Sequence, residues 1–307
     1  MSQLSHRAAH LVLHVTVLLW GFTAILGRSI TLHALPLVFY RLWGVVLVMG
    51  TLVLLSRGKR PSGERILKLF GVGVLVALHW WLFYASIKVA GVAVAVLCLS
   101  SITFFTAIFE PIVFKRAVRP YELALGAGVV AGVVLLVQLE QRGDARGWLI
   151  GLGSALFSSA FGALNGKLAS HEEPAQLTFY ELTGAAILIS ILCFAFGDFA
   201  PPSQVSLKDA GLLLVLVVAC TVFPWLWSLR VLRVLSPYTL ALAVALEPVY
   251  SMVMAVMLWP ETEKLSMRFY VGSALLISLN PLNAWLKKRF DPSVRQPAAD
   301  ELSVPPQ

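Results

Sequence analysis

Apolar runs of bilayer length recur from one end of this chain to the other, and no other feature restricts its fold as much. Spans fall at residues 10–31, 36–55, 67–87, 91–114, 121–139, 148–170, 176–197, 210–229, 236–259 and 265–286, each bounded by charges, glycine or proline. A helix needs about 20 predominantly apolar residues to cross a hydrocarbon core. The expected fold is therefore an all-α membrane protein of ten transmembrane helices. Composition agrees: 13% of the 307 residues are charged, against about 25% in soluble domains.

A net charge of +8 would suggest an acidic partner in a soluble protein. Here the lysines and arginines sit in short loops beside apolar runs, which reads as topology and not as nucleic-acid binding. One alternating set of loops carries 16 of them and the other 7, so both termini are expected on the cytoplasmic side. The N-terminal run lacks a small-residue cleavage site and reads as a retained first helix. Residues 289–307, rich in proline and small polar residues, are expected to form a disordered cytoplasmic tail. Cys98, Cys193 and Cys220 lie inside apolar runs with neither disulfide nor zinc spacing, and read as small core residues.

Glu247 stands in the middle of the ninth span, followed by Pro248. A carboxylate at that depth must be neutralised, paired or wetted by a cavity. The proline removes a donor and frees a carbonyl one turn earlier, which predicts a kink and an inward-facing position. Glu247 is the first candidate partner for a substrate amine or a proton; the alternative is a structural carboxylate that serves the kink.

The two halves of the chain can be superimposed. Gly27-Arg28 matches Gly166-Lys167, Phe39-Tyr40 matches Phe179-Tyr180, and Trp81-Leu82 matches Trp225-Leu226, at offsets of 139, 140 and 144. Each half then holds five spans, at 10–140 and 147–288. Because five is odd, the second copy starts on the opposite side of the membrane. Such inverted repeats build a midplane site with two alternating exits in many secondary transporters.

With Trp20-Gly21-Phe22, Gly27-Arg28, Tyr40-Arg41 and Leu246-Glu247-Pro248-Val249, the chain resembles the EamA family of the drug/metabolite transporter superfamily over about residues 10–288. The resemblance implies two five-helix EamA repeats and a multi-pass carrier of the bacterial inner membrane. It implies export of amino acids or related small metabolites, and no bound cofactor.

Several further residues are candidates for contact with a solute. Arg41 offers a planar fork to a carboxylate, or else snorkels to the outer interface. Glu181 occupies the corresponding place in the second half and is expected on the inner side, apart from Arg41, as a gating or ion-pair residue. His79, with Trp80, Trp81 and Tyr84, and its partial counterpart around Trp225, could line a cavity for a flat or amphipathic solute, with the imidazole as donor or proton relay. The same aromatics could be packing or an interfacial belt. Asn165, Ser101 and Tyr250 could hydrogen-bond a solute or serve as interhelical glue. The offset pairs Glu247 with Ser101 and not with Glu110, so Glu110, about one turn from Lys115, is expected in an interfacial ion pair or gate. Glycines 126, 128, 132, 147 and 151 read as close helix packing or a dimer contact, leaving monomer and homodimer both open. The partners expected are a small-molecule substrate, coupled protons and the lipid bilayer.

Two rival classes compete with a carrier. An intramembrane serine hydrolase would use a G-x-S-x-G serine, but Gly151-Leu152-Gly153-Ser154-Ala155 lacks the last glycine and shows no persuasive histidine partner in sequence. His171-Glu172-Glu173 stops at Pro174 without a second metal-binding histidine. A lipid or head-group flippase has the same composition as a carrier.

Overall fold

Short polar residues and prolines set where the helices begin. The computed structural model describes residues 4–55, 60–137, 145–170, 172–258 and 267–290. Ser5 Oγ accepts from the Ala8 N–H ahead of α1 (His6–Ser29), which satisfies one of the free donors at a helix start. After α2 (Ala34–Leu55), α3 (Gly63–Ser100), α4 (Ile102–Phe114), α5 (Pro120–Val137) and α6 (Ala145–Leu168), Pro174 opens α7 (Pro174–Ala195). Ser206 caps α8 (Leu207–Val217) through the Asp209 N–H. A π-turn over Val218–Val222 leads into α9 (Phe223–Val231). Ser236 caps α10 (Pro237–Val244), and α11 (Glu247–Leu258) and α12 (Met267–Phe290) complete the chain. The expected tail beyond Phe290 lies outside the described residues.

Eight stretches are long and apolar enough to cross a membrane: His6–Ser29, Ala34–Leu55, Gly63–Val92, Val94–Phe114, Ala145–Leu168, Pro174–Ala195, Leu207–Val231 and Pro237–Leu258. They reproduce eight of the ten expected spans. The other two expected spans correspond to α5 and α12, which pack against each other. Gly91, at φ 88° and ψ 170°, kinks α3 near the end of the third stretch. Glycine holds that backbone without the strain a Cβ would bring.

Two of these stretches are broken in mid-course. Ser101 interrupts the fourth between α3 and α4, and Ala245 and Leu246 interrupt the eighth between α10 and α11. The expectation that Pro248 causes the discontinuity needs correction. The break precedes it, and Pro248 lies in the first turn of α11, where its missing N–H has no intrahelical partner to lose.

The halves pack into each other. Among the described residues, α3 runs along α6 and α7, α2 lies on α7, and α1 contacts both α9 and α11. Backbones touch where α3 crosses α7: a Cβ at Gly73 would meet the Glu181 carbonyl, and one at Gly184 would lie 2.6 Å from the Phe70 Cα. The small-residue stripe is internal too, with Gly126 against Phe104, Gly147 against Ala90 and Gly151 against Cys98. Cys98, Cys193 and Cys220 are buried free thiols.

Candidate functional site

A cavity lies where the two halves meet. Trp20 and Thr23 reach it from α1, Arg41 from α2, His79 and Trp80 from α3, Phe161 and Asn165 from α6, Trp225 from α9, and Glu247 from α11. Its lining is mostly apolar, with a few polar groups that could fix an orientation.

Arg41 is turned into this cavity and is 3% exposed, so it does not snorkel to an interface. Its Nε donates to Thr221 Oγ1 at 2.9 Å and its Nη1 to Tyr84 OH at 2.9 Å, while the guanidinium carbon sits 3.7 Å from the Trp80 ring centroid. Thr221 belongs to the π-turn and donates its own hydroxyl to the Leu216 carbonyl at 2.6 Å. The locally widened helix thus aims an acceptor at the guanidinium. Nη2 makes no hydrogen bond among the described residues, which leaves one edge of the fork for an anionic group.

Glu247 is the second charged group of the lining and is 3% exposed. It feels the Arg41 charge, yet no ion pair closes between the two, and its carboxylate has no hydrogen-bond partner among the described residues. An amphoteric pocket of this kind presents a cation at one place and an anion at another.

His79 also lines the cavity, and its Nδ1 lies 2.8 Å from Ser154 Oγ and 3.1 Å from the Ser154 carbonyl. The histidine partner that the sequence did not reveal for Ser154 is therefore present. Ser154 Oγ donates to the His79 carbonyl at 3.0 Å, and the Ser154 carbonyl can only accept. The network accordingly assigns the proton to Nδ1, which then has no lone pair with which to activate the serine. Ser154 is 0% exposed and outside the cavity lining.

Asn165 lines the cavity on the α6 side and donates through Nδ2 to Glu181 Oε1 at 2.9 Å. Glu181 lies behind it, buried, and forms no ion pair with Arg41 among the described residues. Tyr84 stands behind Arg41 as its hydrogen-bond acceptor and is not itself in the lining. Tyr250 meets His14 Nδ1 at 3.3 Å, and Ser101 occupies the break before α4; neither lines the cavity.

Glu110 lies apart from the cavity in an ionic cluster, with a partner other than the expected one. Lys115 ends α4 in the left-handed conformation at φ 52°, and Arg116 supplies the cation, its Nη2 donating to Glu110 Oε1 at 3.2 Å and to Glu122 Oε2 at 2.6 Å. Glu110 Oε2 accepts the Tyr238 N–H at 2.6 Å at the start of α10, and Tyr238 OH donates to the Glu122 carbonyl at 2.8 Å. The cluster ties the ends of α4 and α5 to the second half.

Sequence reasoning missed Trp20, Thr23, Phe161 and Thr221. Thr221 carried no signal, because nothing in a sequence marks a π-turn or the face that its threonine takes.

The sequence profile of the EamA-like transporter family matches residues 7–138 and again 145–280. A solved structure described only as "Crystal structure of protein" superposes with a TM-score of 0.72 at 18% identity, covering 94% of this chain and 100% of that one. That likeness speaks for the fold alone. No curated protein matches the sequence. With two matched repeats spanning most of its length and a helical fold of membrane-crossing stretches, the chain belongs to the EamA-like transporter family and is a multi-pass membrane protein.

Proposed function

We propose that the protein is a secondary transporter of the bacterial inner membrane that exports small amino-acid-like metabolites by alternating access around the cavity. The observation that carries this reading is the pairing of Arg41 and Glu247 in one lining without a salt bridge between them. The free Nη2 edge of Arg41 suits a solute carboxylate and Glu247 suits its ammonium group, while Trp20, Trp80, Phe161 and Trp225 suit an apolar side chain.

Alternating access follows from an inverted-repeat arrangement, and matched contacts at the helix ends support it. Lys88 Nζ donates to the Ile30 carbonyl after α1 at 2.6 Å; at offsets of 145 and 139, Arg233 Nε donates to the Ala169 carbonyl after α6 at 2.7 Å. Thr31 N–H and Oγ1 bind Asp209 at the start of α8, and in the reciprocal place Arg65 at the start of α3 pairs with Glu172 at 3.2 Å. The break at Ser101 lies 145 residues before that at Leu246. In this reading α5 and α12 complete ten spans, and the lysine and arginine bias puts both termini in the cytoplasm.

Counterflow of labelled amino acids into liposomes containing the purified protein tests the proposal. Exchange of at least one amino acid above empty liposomes is expected. Flat signals for every solute, accompanied by hydrolysis or lipid translocation, overturn it.

A further inference from the structure

Three buried polar atoms without hydrogen-bond partners share one corner of the protein: Glu181 Oε2, Asn165 Oδ1 and Trp225 Nε1. Their residues are 0%, 3% and 4% exposed. Two of these atoms belong to the partners of a single short hydrogen bond, Asn165 Nδ2 to Glu181 Oε1 at 2.9 Å. Both are acceptors, so neither can satisfy the other while the carboxyl is ionised. One proton on Oε2 removes both deficits, because a carboxylic acid and a primary amide can exchange two hydrogen bonds edge to edge.

We propose that Glu181 and Asn165 share an exchangeable proton and form the proton-binding site of this carrier, separate from the Arg41 and Glu247 groups that hold the solute. The inference rests on the transport reading above. On loading, an O–H bond forms at Glu181 Oε2 with a proton taken from cavity water, and that hydroxyl donates to Asn165 Oδ1. On release, the proton returns to water along the cavity that Asn165 lines, and the ionised Oε2 accepts instead from Trp225 Nε1, which already lies within interaction range of the carboxyl. Each state satisfies an atom that the other leaves unmet. A sodium-like cation fits the corner less well, since an indole N–H points its positive end at the place such an ion would occupy.

The proton has a physical route to the solute. Trp225 stacks on Phe161 and meets Trp80 edge-on at 5.6 Å, and Trp80 carries the Arg41 guanidinium. A Trp225 indole that shifts with the charge of Glu181 moves the platform of the cation that binds the solute. The basic groups on elements packed around Glu181 are engaged elsewhere: Arg41 of α2 with Thr221 and Tyr84; Arg65, Lys68, His79 and Lys88 of α3 with Glu172, Glu64, Ser154 and the Ile30 carbonyl; and Lys167 of α6 with the Val113 carbonyl. Arg230 of α9 also has a partner of its own. The groups that act on the carboxyl are Asn165 and Trp225.

Infrared difference spectroscopy of the purified protein, stepped from acid to alkaline solution, reads this site without any solute. A carboxylic-acid C=O band that disappears with the step is expected in the wild type, is expected to be lost in Glu181→Gln, and should move to higher frequency in Asn165→Leu. The wild-type band should also shift in heavy water, which keeps the test open if Glu181→Gln does not fold. A band of undiminished amplitude in Glu181→Gln, or of unmoved frequency in Asn165→Leu, overturns the proposal. In liposomes, a pH gradient should accelerate solute exchange by the wild type, and Glu181→Gln should lose that acceleration; full acceleration in the variant overturns the coupling role. If the wild type moves no solute while the band behaves as expected, the transport reading falls and the proton site stands.

Discussion

The Arg41 guanidinium sits 3.7 Å from the centroid of the Trp80 ring, held there by Thr221 and Tyr84. Arg41→Lys keeps the charge and loses both the planar stack and the Nε bond. Desolvated cation–π contacts contribute about 2 kcal/mol and charge-assisted hydrogen bonds about 1.5–3 kcal/mol. The variant should therefore bind solute at least about tenfold more weakly, seen as a raised half-saturation concentration in counterflow.

His79 and Ser154 separate the carrier from a hydrolase. Because the Ser154 hydroxyl donates to the His79 backbone, Ser154→Ala should lower thermal stability by about 1 kcal/mol and leave solute exchange intact. Thermal unfolding and counterflow on the same preparation check this. Exchange lost together with a hydrolytic activity would point to the enzyme reading.

The spans were legible because lipid demands a long apolar helix wherever the chain crosses it, and the dipeptides shared by the halves pointed to their kinship. The inward position for Glu247 followed from the expense of a charge in hydrocarbon, whereas the same argument left Arg41 between the cavity and the outer interface. The break at Ala245 and Leu246 was not legible, since neither residue is a helix breaker, and the nearest proline, Pro248, follows it. The pairing of Glu110 with Arg116 depends on the left-handed turn at Lys115, and lysine carries no propensity signal for that conformation. Thr221 looked like one more small residue in an apolar run.

Gly73 and Gly71 lie on the same helix in opposite situations. A Cβ at Gly73 meets the Glu181 backbone, whereas at Gly71 it meets nothing within 4 Å. Gly73→Ala should destabilise by about 1–3 kcal/mol through overpacking. Gly71→Ala should be neutral or gain up to about 1 kcal/mol of helix propensity. Thermal unfolding of both in one detergent compares them directly.

Glu110 links α4 to the start of α10 through the Tyr238 N–H and Arg116. Glu110→Ala orphans a buried donor and should lose about 1–3 kcal/mol. Glu110→Gln keeps an acceptor and should lose less. The order of their unfolding temperatures checks the assignment, and equal values would remove the N–H contact from it.

Counterflow by Glu247→Gln in liposomes matched for protein content tests the central claim most directly. Glutamine keeps the size of the side chain and removes its charge. Insertion and expression like the wild type, with exchange abolished, is the predicted result; exchange at the wild-type rate would show the carboxylate to be structural and contradict a solute-binding role for the cavity's acid.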